Sequence, residues 1–271
     1  MNVSPEYVSA RRVLLDALDA LEPHLDNLVL VGAQAVYHHT GSQNLRVAPY
    51  TTDADLAVDT RSLGDVPEIG GALRDAGFIA GQHPGHWVNA GEVAVDLMVV
   101  PHQSGTPKAG ARAARIARHD KAVARITDGL EPALVDNERV TISSLAPGDK
   151  RMFGLRVAGP AALLTAKAIK IGERLELADR QPDRLKQKDA LDAFRLFQAI
   201  DTDVLVSGIV RHEAEPHAAA STRRALATYR EHASSPNGKI AQLASAAALG
   251  DPTVAPSFAA LVRELLTSLR H

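Results

Sequence analysis

Asp53, Ala54 and Asp55 form a D-x-D triplet at the head of Asp53 to Val58. The alternation there predicts a β-strand. Side chains at i and i+2 of a strand share a face, so Asp53 and Asp55 project together while Ala54, Leu56 and Val58 turn to the core. Two adjacent carboxylates repel unless a cation sits between them. A divalent ion is the usual remedy, and Mg²⁺ takes carboxylate oxygens with water or phosphate completing its octahedron. A third carboxylate, Asp96, stands in Val93 to Val100, a run otherwise apolar on both faces. Such a run predicts a central strand covered on both sides. A lone carboxylate there is expensive unless it is paired, hydrogen-bonded or metal-bound. Carboxylates on neighbouring strands predict a two-metal centre for in-line displacement at phosphorus, with Asp53, Asp55 and Asp96 as metal ligands and catalytic groups. The competing reading is a solvated loop, where D-x-D pairs are common. Asp59 could extend the same face, but its place suits capping of the next turn.

The elements that must position these groups follow from residue spacing. Glu6 to Leu21 reads as a helix ended by Pro23. Leu28 to Val31 reads as a buried strand that turns at Gly32 into a short helix, Ala33 to His39. A polar loop, Ser42 to Thr52, leads to the D-x-D strand. A helix follows at Val66 to Ala76, then strands at Trp87 to Asn89 and Glu92 to Val100. Pro101 to Asp128 is Ala/Arg-rich and reads as loop plus helix. Leu134 to Asp136 and Arg139 to Ser143 read as strands. The Pro147-Gly148-Asp149 turn marks a division into residues 1–150 and 151–271. Beyond Gly159 the pattern is helical throughout: Ala161 to Leu177, Asp183 to Ala199, Asp203 to His212, Ala218 to Glu231, Lys239 to Ala247 and Ser257 to Leu269. Pro160 suits a first helical position. The expected class is α+β, a mixed sheet with flanking helices followed by an all-helical C-terminal domain.

Two basic features accompany the carboxylates. In the helix Ala161 to Leu177, Lys167, Lys170 and Arg174 recur at i, i+3 and i+7, beside an apolar stripe of Leu164, Ile171 and Leu175. A cationic stripe so placed can reach a triphosphate, or it can be only a solvated face. Lys188 and Asp192 are spaced as a helix ion pair. Lys108 to Arg125 holds six basic residues against Asp120 alone. Arg112, Arg115 and Arg118 are the candidates there for an RNA backbone; the alternative is an exposed basic helix without a dedicated partner.

Composition narrows the field. The 271 residues include no cysteine, which excludes disulfides, Cys-ligated zinc, iron–sulfur clusters and a thiol nucleophile. The net charge of -2 argues against a uniformly basic chain but not against a local patch. The N-terminal stretch is polar and amphipathic, so no signal peptide is expected. No window approaches ~18 apolar residues, so no membrane contact and a cytoplasmic location are expected. P-loop, dinucleotide-binding and nucleophile-elbow motifs are absent. His83-Pro84-Gly85-His86 reads as a hairpin loop rather than a metal site, and His38-His39 as a solvent-facing helix end.

The run Leu30-Val31-Gly32-Ala33, a helix, Thr52-Asp53-Ala54-Asp55-Leu56 and then Asp96 resembles the DNA polymerase β-type nucleotidyltransferase superfamily. More narrowly, Lys167 with Lys188-Asp189-Ala190-Leu191-Asp192 resembles the AbiEii/MenT-like toxin nucleotidyltransferases. The likeness spans roughly Leu28 to Phe197. It implies a nucleotidyltransferase-fold sheet, an NTP substrate, Mg²⁺ (or Mn²⁺) as cofactor and an RNA acceptor, a tRNA 3′ end. It also implies a cognate antitoxin protein as partner. Gly32 and Ala33 would bind phosphate through backbone N–H groups, since a helix N-terminus supplies these whatever the side chain. Lys167, Lys170 and Asp189 would complete the nucleotide site, with Asp189 positioning the metal-nucleotide end or fixing Lys167. Ala33 departs from the family's Gly-[Gly/Ser] pair. Gly41-Ser42 lies nearer the family's spacing, but Gly32-Ala33 follows the predicted strand and is preferred. A small-molecule (antibiotic-type) nucleotidyltransferase and a catalytically degenerate nucleotide-binding module are the alternatives.

Overall fold

The computed structural model describes residues 4–41, 50–106, 108, 110–181, 183 and 185–270. Ser42 of the alternative phosphate turn lies outside them. The described residues fall into two compact units.

The first unit comprises residues 4–35, 50–128 and 137–158. It opens with α1 (Pro5–Ala20), where Ser4 accepts from Tyr7 N at 3.2 Å and Pro5 occupies the first turn. Both devices suit a helix start, which has backbone donors to satisfy and none to spare at proline. The sheet is mixed: β1 (Leu28–Val31), β2 (Asp53–Val58), β3 (Ile79–Ala80), β4 (His86–Val88), β5 (Ala94–Val99), β6 (Arg125–Ile126), β7 (Asn137–Ser143) and β8 (Met152–Ala158). The order is β3-β4-β5-β2-β1-β8-β7. β6 pairs with the end of β5 that β4 leaves uncovered. β2 runs parallel to β5, and β1 antiparallel to β2. α1 packs on β2 and β5 and buries Leu14, Leu15 and Leu18 completely. α3 (Ile69–Asp75) begins where Glu68 accepts from Gly70 N and Gly71 N.

The second unit takes α2 (Gly32–Thr40) from Val36 onward, residues 129–136 and everything described after Gly159. It is helical: α4 (Pro160–Glu176), α5 (Gln187–Ala199), α6 (Thr202–His212), α7 (Pro216–His232), α8 (Lys239–Ala247) and α9 (Val254–Ser268). Phe194, Phe197, Tyr229 and Phe258 form its aromatic core, with ring centroids 5.3–6.4 Å apart. Gly159 caps α4 without a side chain, and Asp136 substitutes for one by accepting from the Ala162 N–H. A Cβ at Gly159 would stand 2.5 Å from both Asp136 oxygens. Buried Asp136 also accepts from Arg211 and lies 3.2 Å from His212 Nε2.

Three expectations change. Leu134 to Asp136 is no strand: Glu131–Leu134 is a 3₁₀ turn, bent by Pro132. Lys108 to Arg125 contains no helix among the described residues. It is pinned as a folded loop by Arg115 N to Ser104 O (2.7 Å), Ala114 N to Ala124 O (3.0 Å) and Ile126 N to Arg112 O (2.8 Å). Long-range backbone bonding here overrides the helix preference of Ala and Arg. The division at 150 also moves. β8 pairs with β1 and β7 and carries the sheet unit to Ala158, while 129–136 belongs with the helices.

Candidate active site

The register of the sheet assembles the site. Asp55 pairs with Asp96 across β2 and β5, Val31 with Asp55 across β1 and β2, and His86 with Asp96 across β4 and β5. Paired residues project from the same face, so His86, Asp96, Asp55 and Val31 form one transverse row. Adjacent members are separated by about one strand spacing, ~4.8 Å. Asp53 lies two residues from Asp55 on that face, ~6.7 Å along the strand. The alternate residues Ala54, Leu56, Val95 and Leu97 are fully buried on the other side. Asp53, Asp55 and Asp96 are each only partly buried. Asp96 is the one residue of β5 that is not closed off from solvent.

Asp53 and Asp96 are both held. Thr51 Oγ1 donates to Asp53 Oδ1 at 2.6 Å. Gln34 Nε2 donates to the Asp53 carbonyl at 3.1 Å, and Arg11 Nε fixes Gln34 Oε1 at 2.9 Å. Asp96 shares its two oxygens between His86 Nδ1 (2.6 Å) and Arg125 Nη2 (3.3 Å). Asp59 points elsewhere: it caps the next turn and pairs bidentately with Arg61 at 2.7 and 2.9 Å. From the sequence, His86 is set aside with its Pro-Gly hairpin, and Gln34 carries no signal. The signal for His86 was available only as alternation about buried Trp87, which puts His86 and Val88 on the opposite face.

Gly32 closes the row. Its φ is +67°, and a Cβ there would overlap the Asp55 carboxylate. Gly32 thus serves a close approach between the start of α2 and the acidic face. Ala33 is buried beside it. Gly32→Ala is expected to lose ~1–2 kcal/mol from the left-handed backbone alone and to displace Asp55. Urea unfolding together with Mn²⁺ titration checks this; unchanged stability and unchanged ion binding would contradict the close approach.

Three carboxylates on one sheet face, two of them in register, offer oxygen donors that fit a hard divalent cation such as Mg²⁺ or Mn²⁺. Arg112 and Arg115 are exposed, Arg118 pairs with Asp65 at 3.0 Å, and Arg125 at the end of this basic segment turns in to Asp96.

The predicted basic helix, α4, is built differently from a solvated stripe. Lys167 is only 7 % exposed and donates to Asp189 (2.8 Å) and Asp192 (2.7 Å) of α5. Lys170 and Arg174 converge on the same Asp189 at 3.2 and 2.6 Å, and Lys188 stands 3.6 Å from Asp192. All three cations of the stripe therefore serve Asp189. Burial would pull the Lys167 pKa down, but Asp189 and Asp192 outweigh it and hold it above the ordinary lysine value. Burial would raise Asp189, but Lys167 first and then Lys170 and Arg174 hold it well below the carboxylate range. The depressed Asp189 contributes stability that is full above ~3.9 and lost as pH falls further. The raised Lys167 contributes stability that is full below ~10.4 and lost as pH rises further. Parent protein should thus lose more stability from pH 5 to 2 than Asp189→Asn does. Equal acid slopes in urea unfolding would show that the cluster contributes nothing.

No known family model, curated protein or solved structure matches the chain. Among the described residues no helix is long and apolar enough to cross a membrane.

Proposed function

We propose that this protein is a Mg²⁺-dependent nucleotidyltransferase that moves a nucleoside monophosphate from an NTP to a hydroxyl of RNA, at a tRNA 3′ end. The observation that carries the reading is the convergence of Asp53, Asp55 and Asp96 on one sheet face, with Gly32 pressed against Asp55 at the start of a helix. The bound cation supplies neutralisation of triphosphate charge. Asp55 and Asp53, the latter fixed by Thr51 and Gln34, would hold it. Backbone N–H groups at Gly32 and Ala33 receive phosphate oxygens. Asp96 completes the ligand set and offers a carboxylate oxygen for the proton of the acceptor hydroxyl. The acceptor oxygen bonds to the α-phosphorus, the α–β anhydride bond breaks and pyrophosphate leaves. Catalysis of this kind is mainly positioning and charge stabilisation.

The choice of RNA rests on the exposed Arg112 and Arg115 of the segment that ends at Arg125 on Asp96, together with the family resemblance. A small cationic acceptor would prefer an acidic rim. The resemblance also suggests a toxin held in check by an antitoxin, and assigns Lys167 and Asp189 to the triphosphate. Two of the three Lys167 donors already serve α5, so its substitution is expected to change stability as well as transfer.

The test uses ATP, CTP, GTP and UTP labelled separately at the α- and γ-phosphates, with total tRNA and Mg²⁺. The reading expects α-label on RNA and γ-label released as pyrophosphate. γ-Label on RNA would indicate a kinase. α-Label on an aminoglycoside but not on RNA would indicate a small-molecule enzyme.

A further inference from the structure

His86 ends the transverse row beside Asp96, and the loop before it is shaped around its ring. Gly81 N donates to His86 O at 2.7 Å, and a Cβ at Gly81 would stand 2.5 Å from His86 Cδ2. Gly85, at φ +72°, donates to Ala122 O (2.9 Å) and accepts from Leu97 N (2.7 Å). A side chain at Gly85 would overlap the backbone of Leu97 and Arg125. The residue before His86 is thus locked to β5 and to the chain entering β6, and the residue opposite leaves room for the imidazole. Buried Trp87, whose indole N–H donates to Val123 O at 3.1 Å, fixes the strand from the other face. The result is Nδ1 at 2.6 Å from Asp96 Oδ1. Arg125 meets the other oxygen more loosely, at 3.3 Å, and divides its Nη2 with Met98 Sδ at 3.4 Å.

We propose that His86 is a positioning residue for Asp96, fixing the orientation of the carboxylate that, with Asp55, would hold a divalent cation; this rests on the metal-site reading above. Ligating carboxylates are themselves hydrogen-bonded by outer residues that set their orientation, and loss of such a partner lowers metal affinity or activity by ~10–100-fold. The carboxylate can only accept, so the short contact has Nδ1–H as its donor. The short His86 bond keeps one Asp96 oxygen in place, whereas the longer contact lets Arg125 yield the other to a cation.

The experiment is Mn²⁺ binding to the full chain by electron paramagnetic resonance, with thermal unfolding of each variant in parallel. His86→Ala should weaken Mn²⁺ binding ~10–100-fold. His86→Asn, whose side-chain N–H falls near the position of Nδ1, should recover most of it. Unchanged binding in folded His86→Ala overturns the inference while leaving the metal site standing. Equal loss in both variants with lowered thermal stability also overturns it, since a merely structural histidine would behave so. Asp53→Ala/Asp55→Ala marks the base line: if parent protein binds no more Mn²⁺ than this variant, the metal-site reading fails and His86 falls with it.

Discussion

Asp53→Asn/Asp55→Asn is expected to remove nucleotide transfer, by ~10³-fold or more, while leaving the protein folded. The two side chains project from one face of β2, and Asp55 lies in the row with Asp96. Metal-bound charge stabilisation is worth several kcal/mol, and each 1.36 kcal/mol is a factor of ten in rate. Both positions are partly exposed, and the substitutions relieve like-charge repulsion without changing volume. Thermal unfolding should therefore occur at the same temperature or higher. A variant that unfolds earlier and loses activity only in proportion would place the pair in stability rather than chemistry. Retained transfer in a folded variant would remove the carboxylates from the mechanism altogether.

Lys167→Met should cost ~3–5 kcal/mol in the helical unit, read as a lowered urea midpoint with an unchanged slope. The loss arises because both partners stay behind in the interior. Asp189 keeps Lys170 and Arg174, whereas Asp192, 1 % exposed, keeps Lys188 at the longer distance of 3.6 Å. An uncompensated buried carboxylate is the larger penalty. Lys167→Met/Asp192→Leu is accordingly expected to be more stable than Lys167→Met alone, because it replaces the orphaned charge by packing. If the double variant is no more stable than Lys167→Met, Asp192 has partners strong enough to dispense with Lys167.

The elements around the acidic face were legible because their signals are local. Leu28 to Val31 is an unbroken apolar run, Asp53 to Val58 alternates, and Val93 to Val100 is interrupted only at Asp96. Lys239–Ala247 was read with both ends correct. What the sequence concealed is non-local. β8 contains Gly154 and Arg156 and gains strand character only from pairing on both sides. The segment Lys108 to Arg125 has helix-favouring Ala and Arg, yet Ser104, Ala124 and Ala122 dictate its path through backbone bonds. His86 sits in a Pro-Gly hairpin signature, and only the β4–β5 register reveals that it faces Asp96. Lys167, Lys170 and Arg174 share a helix face as their spacing predicts, but their common partner, Asp189, is supplied by the next helix. Spacing shows which residues share a face; it does not show what that face meets.

The most direct test of the account compares parent protein with Asp53→Ala/Asp55→Ala under identical conditions, each with α-labelled NTPs, Mg²⁺ and total tRNA. Label should join RNA with the parent, be lost on chelation, and be absent with the variant. Label of equal intensity from both proteins, or none from a parent that binds NTP and Mn²⁺, would contradict it.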